Sequence, residues 1–172
     1  MADIKPAYPG RCKLLLITLL AACGSAICLA ADDVAPVHPS IWRLEMSPYT
    51  HHLRYNQDHQ QVWAIGLEQE AKDQTLLGLT AFSNSFGQPS AYAYYGHVFR
   101  HVWDQADPLY FKLTGGLVYG YKAPHDNILP INQNGFSPVI IPAMGWRVDQ
   151  SLSLQMNVLG LAAVMFMLTF QL

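Results

Sequence analysis

The chain is 172 residues long, 51% hydrophobic and only 13% charged, with 10 basic against 12 acidic residues for a net charge of −2. Soluble domains carry roughly 25% charged residues, so a water-facing surface built from this chain is poor in solvating groups. The near-balanced charge and the lack of a dense Lys/Arg run exclude a nucleic-acid footprint, and nine Tyr, seven Phe and four Trp exclude a solvated, disordered coil.

Arg11 and Lys13 precede the apolar run Leu14–Ala22, and small residues follow as far as Ala30-Ala31. The run is too short to cross hydrocarbon as a helix, which needs about 20 residues. A basic start, an apolar middle and a small-residue exit describe a secretory signal peptide over 1–30. All three cysteines (Cys12, Cys23 and Cys28) fall within it, so the mature chain has no thiol chemistry. An alternative is open at Leu20-Ala21-Ala22-Cys23-Gly24, which is similar to a bacterial lipoprotein cleavage box and would make Cys23 a lipidated N-terminus.

Residues 31–49 are expected to form an N-terminal periplasmic segment; Pro36, Pro39 and Pro48 leave little room there for a helix. From residue 50 onward the pattern has period two. Trp63, Ile65 and Leu67 alternate with Val62, Ala64 and Gly66. Leu109, Phe111, Leu113, Leu117 and Tyr119 share one face, with Tyr110, Lys112, Thr114 and Gly116 opposite. Val164, Phe166, Leu168 and Phe170 oppose Met165, Met167 and Thr169. Such alternation sets one strand face against an apolar phase.

Eight strands are predicted, over 50–56, 61–70, 75–84, 90–103, 108–122, 136–148, 151–159 and 162–172. Tight connections fall at 71–74, 104–107 and 149–150, and longer ones at 56–60, 85–89 and 123–135 belong to the opposite rim. An open sheet edge in hydrocarbon is very costly, and eight is the smallest strand number usual for outer-membrane barrels. The expected fold is therefore all-β, an eight-stranded antiparallel transmembrane β-barrel over 50–172. A periplasmic β-sandwich or a lipocalin-like barrel uses the same strands.

Large apolar groups lie on both faces of 90–103, and methionines crowd the late strands, so the interior either holds one lipid chain or packs on itself. Pro138 and Pro142 lie inside a strand-like stretch and remove ladder hydrogen bonds. They either mark incomplete pairing in the wall or delimit a strand that begins after them.

Three places can carry chemistry: His51-His52, the rim loop Ser83–Ser90, and Lys122–Asn127. An imidazole titrates near neutrality and can deprotonate an attacking hydroxyl. Adjacent histidines on a strand face opposite ways, so one of His51 and His52 serves a given site. Metal chemistry is not expected: His97 and His101 stand about 13 Å apart on a strand at ~3.3 Å per residue, and Glu68 and Glu70 have no histidine beside them. No glycine-rich phosphate loop occurs, and no cofactor is expected.

With these residues the sequence resembles the PagP-type lipid A palmitoyltransferases of Gram-negative outer membranes, over roughly residues 48–172. Leu77–Ser85 is similar to the family strand that ends in an Asp-Ser pair, and Tyr95-Gly96, reached from there without a gap, is similar to the family's Tyr-Gly. His51-His52-Leu53-Arg54 resembles its Trp-His-Ala-Arg segment, and Phe170-Gln171-Leu172 its Phe-Gln-Phe ending. The resemblance implies an enzyme that moves a palmitoyl chain from the sn-1 position of a phospholipid donor to a hydroxyl of a lipid A acceptor.

It further implies His52, Asn84 and Ser85 as the catalytic set, Gly96 as the floor of an acyl pocket, and Pro138 and Pro142 as a lateral gate. The outer membrane is the implied location, a monomer the implied state. A buried methylene is worth about 0.8 kcal/mol, so chain-length selection at such a floor depends on steric blocking. The sequence departs from the family at Asn84, which cannot act as the carboxylate that steadies a protonated histidine; Asp126 and Asp58 are the alternative acids. A non-catalytic small barrel and a lipid A deacylase are the competing functions.

Overall fold

A computed structural model describes residues 40–102 and 106–172. The signal peptide, Cys23 and the segment up to residue 39 lie outside the described residues. Eight strands follow one another: β1 (Ile41–His52), β2 (Ala64–Glu70), β3 (Thr75–Ser83), β4 (Pro89–Arg100), β5 (Leu109–Tyr119), β6 (Phe136–Arg147), β7 (Leu152–Leu159) and β8 (Ala163–Gln171). Each pairs antiparallel with its chain neighbours, and β8 pairs with β1 from Arg43↔Gln171 to His52↔Ala163, which closes the sheet. The expected all-β, eight-stranded antiparallel closed barrel is the observed architecture.

Seven of the strands begin and end within about three residues of their predicted bounds, inside the ordinary uncertainty of element ends. The first strand does not: it starts at Ile41, within the segment expected to precede the barrel. Its alternation is masked because the inward residues Arg43, Glu45 and Ser47 are polar, and because the register shifts between Met46 and Tyr49, around Pro48. A bulge of this kind accommodates a proline that a regular ladder would reject.

The two rims differ. One carries the turns 71–74 and 148–151, the end of β4 and the start of β5; we call it the short-turn rim. The other carries 53–63, 84–88, 120–135 and the brief 160–162 connection, and is the long-loop rim. Outward side chains form an apolar circumference of Ile65, Leu67, Leu79, Leu113, Leu117 and Phe166, with Leu77 61% and Ile140 72% exposed.

The inward row changes character along the barrel. Val62, Ala64, Met165 and Met167 pack with Phe82 and Leu159 towards the long-loop rim. Leu76, Tyr92, Tyr94, Val98 and Val118 form a second apolar cluster, which also touches Phe82. Leu76 and Val98 of that cluster pair with Glu70 and Lys112, so charged side chains enter the lumen at their level, towards the short-turn rim.

The wall is not uniformly paired. The β5–β6 ladder is continuous from Leu109↔Trp146 to Tyr119↔Phe136 and includes both Pro138 and Pro142. The β6–β7 ladder begins only at Ala143↔Asn157 and runs to Arg147↔Ser153, so the proline-bearing half of β6 has no partner on its β7 side. Two prolines four residues apart turn their nitrogens the same way. An unbroken ladder to β5 leaves the β7 edge as the side that lacks N–H donors. Similarly, β1 pairs with β2 only through Ser47↔Ala64, short of its own end at His52. Both seams are open towards the long-loop rim.

Candidate functional site

The last turn of β1 resolves the histidine pair. His51 points outward, where the Tyr49 hydroxyl lies 3.3 Å from its Nδ1. His52, one residue on, turns to the mouth of the barrel, and its Nε2 lies 2.8 Å from Ser85 Oγ. In the tautomer with the proton on Nδ1, the serine hydroxyl donates to Nε2. This bond joins two of the three places singled out in the sequence, across a separation of 33 residues.

Ser85 is held by a tightly bonded loop. Asn84 is 1% exposed, and its Oδ1 accepts from the amides of Phe86 and Gln88, both at 3.0 Å. Its Nδ2 donates to Gln88 Oε1 at 3.0 Å. Gly87 has φ +76°, a region that disfavours a Cβ, and its N–H donates to the Asn84 carbonyl at 2.9 Å. Asn84 therefore shapes the loop that presents Ser85, and its amide bonds to that loop and not to His52.

Neighbouring loops brace this one. The Gln60 amide donates to the Ser85 carbonyl at 2.8 Å. Gln88 Nε2 donates to the Lys122 carbonyl at 3.0 Å, and the Lys122 amide donates to Gln88 Oε1 at 3.2 Å. The third candidate place, 122–127, thus lies at the same rim.

A row of rings crosses the three loops. His59 packs on His52 at a tilt of 33° with centroids 4.1 Å apart, Phe86 meets His59 edge-on at 5.6 Å, and His125 stacks on Phe86 at 3.8 Å. No sequence pattern assigns a role to His59 or Phe86, because their placement depends on the 53–63 loop folding back over 84–88. The two alternative acids, Asp58 and Asp126, are exposed, and neither bonds to His52 among the described residues.

Gly96 faces inward between Tyr94 and Val98. A Cβ there would lie 2.4 Å from the Leu113 carbonyl oxygen and 2.9 Å from Thr114 Cγ2. Its bareness permits the close approach of β4 and β5. Tyr94, the next inward position towards the long-loop rim, stacks on Tyr92 at 4.7 Å and turns its hydroxyl to Glu45 and Glu68 at 3.1 and 3.2 Å.

Glu68 and Glu70 are explained by ion pairs. Lys112 Nζ lies 2.7 Å from both Glu45 Oε1 and Glu68 Oε2. Glu70 is bonded by Arg43 and by Arg100, whose Nη2 donates at 2.9 Å. Arg43, Glu68, Glu70, Arg100 and Lys112 line a cavity of about 770 Å³ that also involves Ser153, Gln155 and the 148–151 turn, at the short-turn rim and away from His52. No cluster of three or more His, Cys, Asp or Glu side chains able to hold a metal occurs among the described residues. The chain matches no protein-family model and no curated protein.

Proposed function

We propose that this chain is an outer-membrane acyltransferase that moves a palmitoyl chain from the sn-1 position of a glycerophospholipid to a hydroxyl of lipid A, as the resemblance to the PagP-type enzymes implies. The observation that carries the reading is the 2.8 Å contact of His52 with Ser85 at the mouth of a barrel whose adjoining interior is apolar. The apolar circumference supports a lipid setting, since soluble monomers rarely expose apolar patches beyond a few hundred Å², and closure of the sheet removes the edge that hydrocarbon penalises.

The chemistry follows from the pair. A serine is a weak nucleophile until an adjacent base takes its proton. His52 Nε2 accepts the Ser85 proton as Oγ attacks the sn-1 carbonyl; the bond from carbonyl carbon to glycerol oxygen breaks, and the proton passes to that oxygen, releasing a lysophospholipid. A lipid A hydroxyl then takes the acyl group from Ser85, with His52 removing its proton and returning it to Oγ. The open β6–β7 seam, with Pro138 and Pro142 on its edge, is the route by which a lipid chain reaches the interior from the side. Gly96 contributes by letting β4 and β5 approach, and Asn84 by holding Ser85 in place.

The test uses the folded barrel in detergent with a labelled phospholipid and lipid A. Lipid A heavier by one palmitoyl group is the expected product, and His52→Ala and Ser85→Ala should each lower the rate by about 10²–10⁴-fold, the range of base-assisted catalysis. A lipid A that loses a chain identifies a deacylase built on the same pair. No change in lipid A, in an assay whose positive control works, would leave a non-catalytic barrel, a reading favoured by the filled apolar interior around Tyr92 and Phe82.

A further inference from the structure

Histidine bases in acyl transfer are ordinarily oriented through their second ring nitrogen by a hydrogen-bond acceptor, most often a carboxylate. His52 has no such partner: among the described residues its bonding is through Nε2 to Ser85 alone. The residue next to Ser85 that would supply a carboxylate is Asn84, and its side chain is fully engaged by Phe86 and Gln88. An imidazole on the end of a strand, tied at one nitrogen, keeps rotational freedom about its side-chain torsions. Something else must restrict it if Nε2 is to stay on Ser85 Oγ.

The ring packed on His52 is His59, with centroids 4.1 Å apart and planes inclined at 33°. His59 is itself restrained on two sides. Its backbone amide donates to the Asn56 carbonyl at 3.2 Å, and its ring meets the Phe86 edge, with Phe86 in turn stacked on His125. The neighbouring Gln60 amide grips the Ser85 carbonyl, so the segment that carries His59 is fastened to the residue that His52 must reach. The ring and the serine therefore share one anchoring loop.

We propose that His59 is a positioning residue for His52: its ring, packed at a tilt on the His52 imidazole, holds Nε2 against the Ser85 hydroxyl by ring contact where a carboxylate bonded to Nδ1 is absent. The proposal rests on the acyl-transfer reading for its catalytic consequence and on geometry alone for the restraint itself. Such packing needs only an aromatic ring, so phenylalanine at 59 preserves it and alanine abolishes it. Misplacement of a reacting group by about 1 Å lowers a rate by roughly a hundredfold, which sets the scale of the effect.

The experiment compares wild type, His59→Ala and His59→Phe as folded barrels, with two readouts. The first is acyl transfer from labelled phospholipid to lipid A: His59→Ala should lower kcat by between about tenfold and a hundredfold with little change in KM, and His59→Phe should recover most of the loss. The second needs no substrate. Nitrogen-15 spectra of labelled histidine should show His52 held with its proton on Nδ1 in wild type and His59→Phe, and averaging between both tautomers in His59→Ala. Equal kcat and an unchanged His52 spectrum in His59→Ala overturn the proposal, as does a His59→Phe variant as impaired as His59→Ala in both readouts. If wild type transfers no acyl chain, the enzymatic reading fails by itself and the spectra alone decide whether His59 restrains His52.

Discussion

The inside of this barrel is two environments built on one wall. Towards the long-loop rim the inward row is Val62, Ala64, Phe82, Met165 and Met167, side chains without charge and, for the methionines, with flexible thioethers. Towards the short-turn rim β1, β2, β4 and β5 turn Arg43, Glu45, Glu68, Glu70, Arg100 and Lys112 into the lumen, beside a cavity of about 770 Å³. The outward row shows no such division. Inward chemistry is therefore free to vary along a strand, and the histidine–serine pair stands at the mouth of the apolar half. The charged half ties β1, β2, β4 and β5 together through Lys112, two glutamates and the Tyr94 hydroxyl. One end is packed with apolar side chains, and the other holds the wall together across its diameter.

The sharpest way to break this division is at Lys112. Its ammonium faces two carboxylates at 2.7 Å while only 5% exposed. Lys112→Met leaves Glu45 and Glu68 buried together without their cation, and removal of one partner from a buried ion cluster costs about 3–5 kcal/mol. Denaturant unfolding of the barrel in detergent should show a loss of this size. A triple replacement in which Glu45 and Glu68 also become apolar should recover much of it, because a well-packed apolar set often replaces buried ions without penalty. A Lys112→Met barrel as stable as wild type would mean that the cluster ties nothing.

How much of this was legible in the residues depends on where the information sits. Strand existence is local: alternation such as Leu113-Thr114 and Leu117-Val118 places β5 without any knowledge of the rest, and the opposite orientation of His51 and His52 follows from the same period. The beginning of β1 was not legible, because its inward positions are charged and only a barrel interior with a polar end explains Arg43 and Glu45 there. Without Glu45 the cation Lys112 had no visible counter-ion, and Glu68 and Glu70 were weighed only as metal ligands without a histidine beside them. The pairing of His52 with Ser85 came from the family resemblance, whereas His59 over His52 came from neither pattern nor resemblance. It depends on how one loop folds onto another, a contact with no period to betray it.

The boundary between the halves can be probed at Gly78. A Cβ there would fall 2.2 Å from Tyr94 Cζ, and the Tyr94 ring cannot easily retreat, because its hydroxyl is held by Glu45 and Glu68. Gly78→Ala should destabilise the barrel by about 1–3 kcal/mol, the range for overpacking. In a Tyr94→Ala background most of that penalty should vanish, since the two positions share one contact. Additive losses in the double-mutant cycle would place the Tyr94 ring away from Gly78.

The smallest expected effect decides the most about the site. Asn84→Asp restores the residue type that the resemblance would put beside Ser85, so a carboxylate that serves His52 should raise the transfer rate. The geometry argues the other way. Asn84 Nδ2 donates to Gln88 Oε1, which also accepts from the Lys122 amide, while Gln88 Nε2 donates to the Lys122 carbonyl. Replacing Nδ2 with a carboxylate oxygen sets two acceptors against each other. Reversing the Gln88 amide to relieve them gives up both bonds to Lys122. The net contribution of such a bond is about 1 kcal/mol, so Asn84→Asp should lower stability by that amount, loosen the 84–88 loop and reduce transfer. Limited proteolysis of that loop, read beside the transfer rate, separates the outcomes: faster cleavage with slower transfer keeps Asn84 as the residue that holds Ser85, whereas faster transfer with an intact loop makes position 84 part of the acid–base set.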